Sequence, residues 1–258
     1  MNIIDTHAHL FAEDFHDDLN EVVSRARQAG VEKVLLPNID ETTIGELRKA
    51  VAHHPGYLLP MMGLHPTSVT REWKRQLHTI RQEMNSNSYV AVGEIGIDLY
   101  WDQSLKEEQI NVFEEQLKWS IEKDLPVAIH FRNATREVVK SIRRVGEEHL
   151  RGVFHSFGGS KEELDAILQL KNFRVGINGV VTFKNSGLSE TLRHCPQEKV
   201  ILETDSPWLT PVPFRGKRNE PAYLTFVLKQ IAAIWQETEA YVAERTNRNA
   251  IELFNIVR

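Results

Sequence analysis

Short apolar runs recur eight times along this chain with helix-period patterns between them, and that alternation restricts the fold more than any single residue does. The runs fall at residues 3–4, 33–37, 57–63, 89–93, 126–129, 152–154, 173–177 and 199–202. Each reads as a strand buried on both faces rather than as a core helix, because each is short and bounded by polar or turn-forming residues. Between them Leu19, Val22, Val23 and Ala26 follow helical spacing and stop at Gly30, and Ile110, Phe113, Leu117 and Ile121 repeat the pattern after Ser104. Ser104 with Glu107, and Ser160 with Glu163, have the spacing of capping boxes that start helices. Eight strand–helix units in about 250 residues predict a parallel TIM (β/α)8 barrel of the α/β class, with functional groups at the C-terminal ends of the strands.

The tail 221–258 carries further helical patterns, through Leu224, Val227, Leu228 and Ile231 and again after Thr238. These extra C-terminal helices are expected to pack outside the barrel. No Pro/Gly/Ser-rich linker, low-complexity tract or run of like charges divides the chain, so residues 1–258 are expected to form a single domain. A hydrophobic fraction of 41% with 26% charged residues suits a globular protein with a sizeable core. The lone Cys195 excludes an internal disulfide, fits a reducing compartment and is expected to serve packing. No run approaches the roughly 20 apolar residues of a membrane span, and the N-terminus shows no cleavable signal, so a cytoplasmic protein without membrane contact is expected. A formal charge of −5 argues against a broad basic surface gripping duplex DNA but leaves room for a local basic patch. Nothing in the chain calls for an obligatory protein partner.

The chemistry concentrates at the ends of the apolar runs. His7 and His9 follow the first run two residues apart, so both imidazoles can point the same way toward one cation. Glu94, His130, His155 and Asp205 each close a separate later run. Three protein ligands plus water make an open catalytic metal site, and a carboxylate between two ions can bridge them. Glu94 is the expected bridge. His7, His9, Glu94 and Asp205 would hold one divalent ion, and Glu94, His130 and His155 a second. Two such ions can present a metal-bound hydroxide and neutralise charge on a phosphoryl group, with Asp205 orienting the water or taking its proton. Mixed nitrogen and oxygen ligands admit zinc, magnesium or manganese.

Six ordered blocks carry a resemblance over essentially the whole chain: Asp5-Thr6-His7-Ala8-His9-Leu10, Gly63-Leu64-His65-Pro66, Val92-Gly93-Glu94-Ile95-Gly96-Ile97-Asp98, residues 125–132 around His130, Phe154-His155-Ser156-Phe157-Gly158-Gly159-Ser160, and Leu202-Glu203-Thr204-Asp205-Ser206-Pro207. They resemble the TatD family of metal-dependent deoxyribonucleases, and Arg215-Gly216-Lys217-Arg218-Asn219-Glu220-Pro221 extends the likeness. The resemblance implies a metal-dependent hydrolase of the amidohydrolase superfamily that cleaves DNA phosphodiesters, often from the 3′ end of a single strand. It also implies that His7, His9, Glu94, His130, His155 and Asp205 are metal ligands. Ala8, Phe11 and Asn133 depart from the family pattern, where cysteine, aspartate and aspartate are common. None of the three is a proposed ligand.

Around this set, His65 ends the third run and is expected to hold a substrate phosphate or a weak third ion, or else to fix its loop. Arg132 shares a face with His130, and its planar fork suits phosphate oxygens unless Glu203 or Asp98 pairs with it. Arg215, Lys217 and Arg218 form a basic loop after the eighth strand, either for phosphate or merely solvated. Glu203 is expected to orient a ligand or water from behind. Tyr100, Trp101 and Trp208 lie on loops at the mouth and could stack on an unpaired base, whereas Trp73, Trp119 and Trp235 sit in helical patterns and are expected to pack. His16, His53, His54, His78, His149 and His194 are read as surface or hydrogen-bonded residues. The alternative to a nuclease is an amidohydrolase acting on a small cyclic amide, ester, lactone or phosphoester. A non-catalytic binding barrel with a structural metal ranks third.

Overall fold

The computed structural model describes residues 2–256. Its order is β1 (Ile3–Asp5), α1 (Leu19–Gln28), β2 (Val31–Pro37), α2 (Ile44–His53), β3 (Leu58–Met61), α3 (Trp73–Ser86), β4 (Val92–Gly96), α4 (Lys106–Lys123), β5 (Val127–His130), α5 (Thr135–Val145), β6 (Gly152–Phe154), α6 (Lys161–Leu168), β7 (Phe173–Ile177), α7 (Leu188–Leu192), β8 (Val200–Leu202), α8 (Leu224–Trp235) and α9 (Glu239–Phe254). Each of the eight apolar runs overlaps a strand, and β1, β2, β4 and β5 extend beyond theirs. β1 to β3 and β4 to β8 pair in sequence order, all parallel. Single bridges close the two seams, Met62 with Val92 and Ala8 with Ser206. At the second seam Thr6 N donates to Leu202 O at 3.0 Å and Asp205 N to His7 O at 2.9 Å. The result is the expected (β/α)8 ring.

Barrel strands are buried on both sides, so their alternate residues feed two cores. Ile3, Val34, Leu36, Ile129, Phe154 and Leu202 face the surrounding helices. Ile4, Leu35, Met61, Ala128, Val153 and Ile201 fill the lumen. Ala250, Leu253 and Phe254 of α9 join that lumen cluster together with Ile256. α9 therefore closes the floor of the barrel, while α8 packs in the wall. This corrects the expectation that the whole tail lies outside. The physical reason is that the N-terminal opening would otherwise expose the lowest lumen layer to water. Asn247 Oδ1 accepts from Ile4 N at 3.0 Å, and Asn249 Nδ2 donates to Val200 O at 2.7 Å, so α9 also satisfies strand groups at that end. Residues 257–258 of the tail lie outside the described residues.

The Ser160–Glu163 capping box forms, with Ser160 Oγ accepting from Glu163 N and Glu163 Oε2 accepting from Ser160 N. The Ser104–Glu107 box does not. α4 begins at Lys106 without a side-chain cap, because Ser104 N and Oγ both donate to Asp102, each at 2.8 Å. Cys195 is buried in the wall, as are Trp119 and, in part, Trp73 and Trp235. Among the described residues no helix is long and apolar enough to cross a membrane.

Candidate metal centre

The C-terminal seam between β1 and β8 positions the first group. Asp5, fully buried, accepts from Thr204 N at 2.9 Å, Thr204 Oγ1 at 2.6 Å and His7 N at 3.3 Å. His9 N donates to Ser206 O at 2.7 Å. One carboxylate thus ties the chain entering His7 and His9 to the chain entering Asp205. Burial pushes the Asp5 carboxyl up to about 7 against the pull of the Thr204 bonds.

The six side chains expected as ligands meet in one place. Glu94 stands among them with one oxygen toward each subset. Its Oε2 lies 3.1 Å from His7 Nε2 and 3.6 Å from His9 Nε2. Its Oε1 lies 3.1 Å from His130 Nδ1 and 3.8 Å from His155 Nε2. Asp205 Oδ1 is 3.7 Å from both His9 Nε2 and His155 Nε2, and 3.9 Å from His7 Nε2. The His7 and His155 rings stack with centroids 3.4 Å apart.

Carboxylates outside the cluster stand behind two of the rings. Glu203 Oε1 sits 3.0 Å from His155 Nδ1 and accepts from Ser156 N. Asp98 Oδ2 sits 2.7 Å from His130 Nε2. Such partners fix which imidazole nitrogen turns toward a cation. Glu203 lies behind His155, and Asp98, to which the sequence reading gives only a pairing with Arg132, lies behind His130. Glycine makes room for both arrangements: a Cβ on Gly176 of β7 would enter the Glu203 carboxylate, and one on Gly96 would enter the His130 carbonyl.

The donor set fits divalent cations. His7 Nε2 and His9 Nε2 converge to 3.2 Å, a spacing at which both lone pairs can reach one cation. Burial lowers the pKa of His7, His9, His65 and His155, which favours the neutral, ligating form. Burial alone would raise Glu94, but the imidazoles of His65, His7 and His155 outweigh it and hold the carboxyl well below its usual range. His130 moves the other way, to about 9, because its bonds to Asp98 and Glu94 overcome burial. Burial pushes Asp205 and Glu203 up to about 7. A central divalent charge would reverse that penalty.

Above the cluster opens a cavity of about 650 Å³, lined by His65, His130, Arg132, Asn133, Gly159 and Trp208 among others. His65 serves two partners: Nδ1 accepts from Thr67 N, fixing the turn at Pro66, and Nε2 lies 3.3 Å from Glu94 Oε1. Arg132 pairs with neither Glu203 nor Asp98. It lies over the Tyr100 ring, 3.7 Å from the centroid. The basic loop does not line the cavity. Arg218 is turned to α1, where it grips Asp18 through bonds of 2.8 and 2.7 Å. Arg215 lies over Phe183 and Lys217 over Phe214. Phe11 is buried edge-on to His9, and Asn133 lies at the cavity. His16, His53, His78, His149 and His194 are exposed and His54 half-buried.

Fold and site together define a (β/α)8 barrel with candidate metal ligands gathered at its C-terminal mouth. The chain belongs to the TatD related DNase family, whose model matches residues 4–255. It is 37% identical over 255 residues to YabD, a metal-dependent hydrolase of Bacillus subtilis, a match covering 98% of this chain and 99% of that one. It is 31% identical over 260 residues to the 3′–5′ ssDNA/RNA exonuclease TatD of Pantoea sp., covering 98% and 100%. The crystal structure of YjjV, a TatD homologue from Escherichia coli, superposes with a TM-score of 0.91 at 29% identity, covering 99% and 98%.

Proposed function

We propose that this protein hydrolyses phosphodiester bonds of single-stranded DNA from the 3′ end, with two divalent cations held by His7, His9, Glu94, Asp205, His130 and His155. The observation that carries this reading is Glu94, which turns one carboxylate oxygen to His7 and His9 and the other to His130 and His155. A family relative named as a 3′–5′ ssDNA/RNA exonuclease supports the substrate class. Bound there, the cations supply Lewis-acid charge to a phosphoryl oxygen and acidify a water molecule.

The chain's own groups then have defined tasks. Asp205, at the mouth, orients the attacking water and takes its proton. Asp98 and Glu203 hold His130 and His155 in place. Arg132 and His65, both lining the cavity, engage the phosphate oxygens.

The test is a time course on a single-stranded oligonucleotide labelled at either end, with magnesium, manganese or zinc and with chelator. Stepwise shortening from the 3′ end that stops on chelation and in Glu94→Ala, but persists in His78→Ala, supports the reading. A protein inert toward DNA and RNA that hydrolyses a lactone or cyclic amide contradicts it.

A further inference from the structure

The large hydrophobic side chains exposed among the described residues are Trp101 (71%), Tyr100 (51%), Trp208 (49%) and Val212 (44%), and all lie on loops following β4 and β8. An apolar surface confined to one rim marks a binding region. Tyr100 and Trp101 meet edge to face with centroids 4.8 Å apart. The Arg132 guanidinium lies against both, 3.7 Å from the Tyr100 centroid and 5.3 Å from that of Trp101. Among the described residues it forms no ion pair, so its N–H edge is free toward the cavity it lines.

The aromatic turn is also tied to the metal centre. Asp98 Oδ2 holds His130 Nε2, while its Oδ1 accepts from Tyr100 N at 2.9 Å. Leu99 N donates to Arg132 O at 3.0 Å. The turn therefore keeps a set distance from His130 although its rings are exposed.

We infer that Trp101, buttressed edge to face by Tyr100 and backed by Arg132, forms a shelf on which one unpaired nucleobase of the bound strand stacks. This rests on the nuclease reading above and adds what that reading lacks, a physical reason for preferring single strands. A base inside a duplex has both faces covered by its neighbours and its edge bonded to the complement. A base in the interior of a duplex therefore offers no face to Trp101, whereas each unpaired base of a single strand can. Stacking on an aromatic platform tolerates any base identity, so the shelf selects unpaired over paired strands without selecting sequence.

The experiment measures kcat/KM with manganese for the wild type and Trp101→Ala. The substrates are single-stranded oligonucleotides carrying one abasic residue at the first, second or third position from the 3′ end, with the intact strand as reference. Trp101 is largely solvent-exposed, so its truncation leaves the core intact. The shelf predicts that one abasic position costs the wild type about tenfold, the effect of one lost stacked base. It also predicts that this cost disappears in Trp101→Ala. An identical abasic profile in the two proteins overturns the shelf while leaving the nuclease reading standing. A wild type that degrades no strand at all overturns both.

Discussion

Nδ1 of His155 lies 3.0 Å from Oε1 of Glu203, and both side chains are buried at the base of the metal centre. The other ring nitrogen, Nε2, faces Glu94 and Asp205. Glu203→Ala should therefore lower metal affinity or turnover by about 10- to 100-fold with the barrel folded. Manganese titration and circular dichroism check this, and wild-type affinity in the variant would refute the coupling.

Gly176 gives a second route to the same effect. Its missing side chain leaves the space that the Glu203 carboxylate occupies. Gly176→Ala should displace Glu203, reduce turnover much as Glu203→Ala does, and cost about 1–3 kcal/mol of stability through overpacking. Chemical denaturation and steady-state rates, measured together, check both effects.

Arg218 belongs to the fold rather than to the cavity. Its bonds to Asp18 hold that carboxyl below its ordinary value. Both partners are partly exposed, so Arg218→Ala should cost about 1 kcal/mol or less and leave KM for a DNA strand unchanged. A carboxyl lowered in the folded state stabilises above its unfolded pKa. The wild-type advantage should thus be present at neutral pH and disappear as pH falls below about 4. Urea melts across that range test the sign.

Cys195 should be inert. Burial pushes its thiol up to about 12, so the folded protein keeps it protonated and shielded. A disulfide reagent at pH 8 should find no reactive thiol until denaturant is added. Because the unfolded chain ionises near its ordinary value of about 8.5, the thiol's contribution to stability should decline as pH rises above about 9.

Much of this was legible in the sequence because it depends on local rules. Short apolar runs between helix-period patterns mark the strands, and groups that close those runs, such as His7, His130 and Asp205, fall at the mouth as βα topology requires. What escaped depends on distant pairing. Asp98 meets His130 across 32 residues, and Arg218 meets Asp18 across 200. Local charge patterns cannot distinguish such an ion pair from a phosphate contact. The helical periodicity of α9 reports an apolar face but not that the face covers the floor of the barrel. The Ser104 box failed because a nearer partner, Asp102, competes for the same hydroxyl.

If Glu94 serves both cations, calorimetric titration of manganese into chelator-stripped protein should find two ions per chain in the wild type and weakened binding of both in Glu94→Ala. Two ions binding Glu94→Ala with wild-type affinity would contradict that role.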